Sequence, residues 1–73
     1  MTEKIIAALA KQFDLSESSI TPETPLGDIC TDSIDFAELL TDLEEEYGIS
    51  IADEGIYQVQ TVKELAEFVE KLL

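Results

Sequence analysis

From Ser33 to Tyr47 apolar residues recur every three or four positions, and Gly48 follows at once. At that spacing Phe36, Leu39, Leu40, Leu43 and Tyr47 share one side of a helix. Gly48 stands where a helix end wants a left-handed residue. Two other stretches carry the same period. In Thr2–Phe13, Ile5, Ile6, Leu9, Ala10 and Phe13 make a broad apolar face, with Lys4, Lys11 and Gln12 on the other side. Thr2 is the predicted N-cap there, and Glu3 suits the first turn. In residues 61–73, Thr61-Val62-Lys63-Glu64 reads as a capping box. Val62, Leu65, Ala66, Phe68, Val69 and Leu72 then face inward. A short helix is expected over residues 53–58, capped by Asp53, with Ile56 and Val59 as core contacts. Gly55 weakens it by roughly 1 kcal/mol relative to Ala. Ile49 and Ile51 bring a short extended segment back to the core. The expected fold is all-α: a small four-helix bundle of three main helices and one short one.

Residues 14–32 form the long connection between the first two helices. Ser16, Ser18, Ser19, Thr21, Pro22, Thr24, Pro25 and Gly27 are turn formers and helix breakers. Leu15, Ile20, Leu26 and Ile29 are not needed in a free linker, so the loop is expected to be pinned to the core through them. A long connection of this kind is more often functional than idle. Thr21-Pro22-Glu23 is expected to form a short helical turn, with Pro at its first position.

The 73 residues make one small domain, and 45 % hydrophobic content suffices for a core in spite of a net charge of −13. Seventeen acidic residues face four lysines, and there is no arginine. That argues against nucleic-acid binding, which needs cations against phosphates. An anionic membrane surface would repel the chain as well. Proteins with basic patches are the expected partners, and the field would speed their encounter. With one cysteine, Cys30, and no histidine, neither an internal disulfide nor a Cys/His zinc site is possible within one chain. No apolar run has the length of a membrane span, and no signal peptide is visible. The expectation is a monomer in a reducing cytoplasm.

The second helix is built against its own stability. Asp35/Glu38, Glu38/Asp42, Asp42/Glu45 and Asp42/Glu46 are like-charge pairs at three- or four-residue spacing, each costing roughly 0.2–0.5 kcal/mol. Glu44, Glu45 and Glu46 crowd the negative end of the macrodipole. No Lys or Arg occurs between Asp14 and Val62. A solvated face would keep the protein soluble, but it does not explain that missing positive charge. A docking face for basic surfaces does.

Ser33 opens this helix. Serine is a common N-cap, and a hydroxyl at a helix N-terminus is also well placed to bear a negative group, because the helix tip stabilises phosphate. A catalytic nucleophile would need a base. There is no histidine, the lysines are distant in sequence, and no Gly-x-Ser-x-Gly elbow surrounds Ser33. Asp28, Asp32 and Asp35 suggest calcium, but an EF-hand loop started at Asp28 puts Ser33 at the glycine position and Leu39 at the bidentate glutamate position. Cys30 lacks a supporting base and reads as a small, partly buried apolar residue.

Taken together, these residues resemble the acyl carrier proteins. That family opens its second helix with Asp-Ser-Leu, and this chain has Asp32-Ser33-Ile34. The likeness extends through Asp28-Ile29, Asp35, Leu43-Glu44-Glu45-Glu46-Tyr47, Ile51, Asp53-Glu54 and Thr61-Val62. The resemblance implies a four-helix bundle. It implies a 4′-phosphopantetheine arm, taken from coenzyme A and esterified to Ser33 by a phosphopantetheinyl transferase, with Asp32 and Ile34 beside it. The arm would carry acyl groups as thioesters between enzymes of fatty-acid, polyketide or related pathways, in a protein that is not itself an enzyme. Asp35, Ala37, Glu38, Thr41, Glu44 and Glu45, with Ile34, would meet the partner enzymes. Three positions depart from the family pattern: Ile34 for the usual Leu, Cys30 where Gly is common, and Thr41 where fatty-acid carriers often have Met. The alternative is an unmodified acidic adaptor that keeps the fold and binds a basic protein.

Overall fold

The computed structural model describes residues 1–51 and 54–73. Three α-helices build it: α1 (Thr2–Phe13), α2 (Ser33–Tyr47) and α3 (Val62–Leu72). The short fourth helix is a 3-10 helix, Glu54–Gln58. Its expected cap, Asp53, lies outside the described residues. The bundle is all-helical as expected, and no strand occurs among the described residues. One isolated antiparallel bridge pairs Pro25 with Thr61.

The apolar stripes converge on one core. Ile5 and Leu9 of α1, Leu39 and Leu43 of α2, Ile56 of the 3-10 helix, and Val62, Leu65 and Val69 of α3 are all but sealed from solvent. Each such side chain contributes about 1.5–3 kcal/mol of transfer free energy. Ile6, Phe13, Phe36, Tyr47, Val59 and Phe68 pack half-buried around them. Leu72 departs from expectation: in the last turn of α3 it runs past the edge of the core and is 36 % exposed.

Helix ends differ in detail from the sequence reading. Thr2 is the first helical residue of α1, and Met1 takes the cap position without a side-chain cap bond. The Met1 carbonyl accepts from Ile5 N–H at 3.0 Å, and the terminal amine pairs with Glu70 at 3.5 Å. Asp14 ends α1 in the left-handed region, φ 54°, a conformation that short polar side chains tolerate. Gly48 ends α2 at φ 63°, as its glycine suggests.

The long connection is ordered and anchored. It holds two 3-10 turns, Glu17–Ser19 and Leu26–Asp28. Ile20 and Leu26 are buried and Ile29 packs against the core, but Leu15, just beyond the left-handed Asp14, is exposed. The helical turn expected at Thr21 is instead a hydrogen-bonded turn. Thr24 N–H donates to the Thr21 carbonyl at 3.0 Å, and Thr21 N–H donates back to Thr24 Oγ1 at 2.8 Å. The threonine hydroxyl competes with the helical pattern.

Carbonyls of this loop then cap α3. Val62 N–H donates to Thr24 O at 3.1 Å and Lys63 N–H to Pro22 O at 2.9 Å. Leu26 N–H returns a bond to Gln60 O at 2.8 Å. Thr61 Oγ1 accepts from Glu64 N–H at 3.2 Å, which is half of the expected capping box. The other half is displaced by one residue, since the Glu64 carboxylate accepts from Gln60 N–H at 3.0 Å. The donors that a helix start leaves open are thus all occupied in α3.

Candidate functional site

The loop delivers the chain to the N-terminus of α2, where the capping role falls to Asp32. Asp32 is extended, φ −124° and ψ 144°, and its Oδ1 accepts from Ile34 N–H at 3.0 Å. Ser33 is therefore the first helical residue and not the cap. Its side chain is exposed, and among the described residues nothing hydrogen-bonds its hydroxyl. The Ser33 and Asp35 N–H groups likewise have no acceptor in the chain among those residues. The helix tip thus presents an unengaged hydroxyl beside two open backbone donors.

Ser33 borders an open hollow of about 250 Å³ whose other walls include Leu26, Cys30, Phe36, Tyr57 and Val59. The rings of Phe36 and Tyr57 are tilted at 59° with centroids 6.4 Å apart. Tyr57 is 75 % exposed, and sequence reasoning passed over it. Its signal is a large aromatic next to Ile56 in a short helix, where Ile56 fills the core and Tyr57 must point away. Cys30 is half-buried, as expected for a small apolar residue. Burial, and secondarily the Asp35 carboxylate, push its thiol up to about 11. It stays a protonated thiol at neutral pH.

The outer face of α2 runs on from Ser33. Ile34 is 64 % exposed, Ala37, Glu38, Thr41 and Glu45 are exposed, and Asp35 is half-buried. Thr41 Oγ1 donates to the Ala37 carbonyl at 3.1 Å. Glu44 stands apart from these. Half-buried, its carboxylate accepts from Ile51 N–H at 2.7 Å, holding the segment that follows α2 against the helix. Gln12, from the end of α1, joins Ile34, Ala37, Glu38, Thr41 and Asp42 around a second hollow of about 510 Å³. Sequence reasoning did not bring Gln12 to this face, because nothing in either helix alone says how the two lie side by side.

Among the described residues no cluster of His, Cys, Asp or Glu is arranged to hold a metal ion, and no lysine pairs with an acid of α2. No helix among them is long and apolar enough to cross a membrane.

A small helical bundle with an exposed serine at the tip of an acidic helix defines a carrier-type domain. The family model described as "Phosphopantetheine attachment site" matches residues 3–69. Acyl carrier protein 1, chloroplastic, of Casuarina glauca is 36 % identical over 72 residues, covering 97 % of this chain and 53 % of the relative. Acyl carrier protein, chloroplastic, of Brassica napus is also 36 % identical over 72 residues, covering 97 % of this chain and 54 % of the relative. The chain spans about half the length of these relatives. It belongs to the phosphopantetheine-attachment family of the acyl carrier proteins, which are carriers and not enzymes. That family implies a covalently attached 4′-phosphopantetheine.

Proposed function

We propose that Ser33 is the attachment point of the phosphopantetheine arm and that the protein presents acyl groups to enzymes of fatty-acid, polyketide or related acyl-transfer pathways. When bound, the arm supplies a thiol that holds an acyl group as a thioester. The reading rests on one observation. Because Asp32 caps α2, the Ser33 hydroxyl is exposed and has no bond to give up. A serine engaged in capping would have to be pulled away before it could be esterified.

The surroundings of Ser33 fit such a group. The open N–H groups of Ser33 and Asp35 and the positive end of α2 favour a phosphodiester at the hydroxyl. The neighbouring hollow has room for the first atoms of an arm and apolar walls in Leu26, Phe36 and Val59. Cys30 lies in the same hollow as a thiol and not a thiolate, so it competes poorly for an acyl group.

We assign docking to the outer face of α2. Asp35, Glu38 and Glu45 would draw in the basic patches of a phosphopantetheinyl transferase and of acyl-handling enzymes, while Ile34, Ala37 and Thr41 make close contact. Glu44 adds charge to this face while holding Ile51. Reversing Glu38 and Glu45 to lysine should weaken transferase binding in a salt-sensitive way. Unchanged binding across salt would count against this face. The single unpaired cysteine favours a reducing cytoplasm as the compartment.

The decisive measurement is intact mass after incubation with coenzyme A and a broad-specificity phosphopantetheinyl transferase. Wild type should gain the mass of one arm and Ser33→Ala none. No gain on wild type, or an equal gain on the variant, rejects the attachment. An unmodified adaptor would also gain nothing, and would tolerate Ser33→Ala without loss of binding.

A further inference from the structure

The hollow where the end of α1 meets the outer face of α2 has a chemistry of its own. Its floor is made of small side chains, Ala37 and Thr41, and the Thr41 hydroxyl is already spent on the Ala37 carbonyl at 3.1 Å. A threonine so bonded offers little to a polar visitor and leaves its methyl as contact surface. Ile34, 64 % exposed, is an apolar wall on the Ser33 side. Gln12 closes the opposite side from α1, and Glu38 and Asp42 stand on the rim. No cation pairs with either acid among the described residues, and the sequence has no Lys or Arg between Asp14 and Val62.

Each neighbouring position narrows what can sit there. An apolar floor ringed by unpaired carboxylates repels a lipid headgroup layer of negative charge. A second copy of a chain with net charge −13 would bring acid against acid. A small molecule would gain little from so shallow and open a space. A cationic helix fits on both counts, because its charges meet the rim while one apolar side chain reaches the floor.

We infer that this hollow is a socket for a single projecting apolar side chain on a basic helix of a partner enzyme. The inference rests on the carrier reading above only for the kind of partner. The socket sets specificity, since charge alone would accept any basic surface, whereas the small residues Ala37 and Thr41 select a surface that carries a knob between its cations. Gln12 makes α1 part of the docking surface.

The test uses the full chain and two synthetic helical peptides, identical in their flanking lysines and differing only in a central Leu or Ser. Titrations are followed by two-dimensional amide NMR. The Leu peptide should shift the amides of Gln12, Ile34, Ala37 and Thr41 and bind about tenfold more tightly than the Ser peptide, the ratio expected for burying one leucine side chain. Thr41→Met fills the socket and should lower the Leu peptide to the affinity of the Ser peptide, leaving the latter unchanged. Unchanged thermal unfolding of the variant separates this from misfolding. Equal affinities on wild type, absence of shifts at those four amides, or a Leu preference that survives Thr41→Met overturns the socket. Mass gain at Ser33 is read on the same samples. Its failure would overturn the attachment and not the socket, because the peptides bind without the arm.

Discussion

α2 and α3 begin alike in sequence and end up in opposite states. Each is preceded by an extended polar residue, Asp32 or Thr61, whose side chain takes one backbone N–H of the first turn. There the similarity stops. At α3 the loop lends the carbonyls of Pro22 and Thr24, so the first donors are consumed inside the fold. At α2 only the Ile34 N–H is taken by a side chain, and the tip faces water. One helix start is closed for stability and the other is kept open for chemistry. An open positive tip is worth keeping only where a negative group will arrive.

This contrast can be broken, and the largest effect is expected at the open end. Ser33→Ala should abolish the mass gain from coenzyme A while changing stability by no more than about 0.5 kcal/mol, because an exposed, unbonded hydroxyl holds nothing. Thermal unfolding alongside mass spectrometry checks both halves; a large loss of stability would mean that Ser33 has a structural duty. Thr61→Ala should do the reverse. Losing a cap costs about 1 kcal/mol, which lowers the melting temperature by about 4–8 °C in a domain of this size, with modification at Ser33 unaffected.

Asp32 lies between these cases. Asp32→Ala should cost about 1 kcal/mol by removing the side-chain bond to Ile34 N–H, and Asp32→Asn only a few tenths, since either residue caps. If both variants were equally destabilised, charge and not capping would be what Asp32 supplies. The smallest effect concerns Cys30. Its thiol ionises at about 11 in the fold against 9.0 ordinarily, so the folded state keeps a proton that the unfolded chain releases. Its stabilising contribution is full below pH 9.0 and is lost as pH rises toward about 11. The difference in stability between wild type and Cys30→Ala should narrow across that window; a constant difference would mean that the thiol titrates normally.

Side-chain patterns made most of the fold readable. The limits of α2 follow from Asp32-Ser33 at one end and Gly48 at the other, and the stripe from Phe36 to Tyr47 fixed its inner face. Ser33 was identifiable as a site for the same reason. Choosing the cap within the Asp-Ser pair was harder, because both residues can accept the same donor, and only the backbone settles on Asp32. The clasp between the loop and α3 could not be read at all. It is made by main-chain carbonyls of Pro22 and Thr24, which carry no residue-specific mark. The same holds for Gln12, whose place beside α2 depends on how two helices pack. Leu15 and Leu72 misled because hydrophobicity indicates a tendency toward the core but not whether the core reaches that far.

The clasp also has a kinetic side. Leu26, Val62 and Lys63 donate across one junction between segments remote in sequence, and none of those bonds can open without disturbing the others. Their amides should therefore exchange with deuterium together, at the slow rate of the bundle and not at the fast rate usual for a surface connection. The segment leading to Ser33 then moves with the last helix as one body, and the serine is offered to its modifying enzyme from a stiff mount.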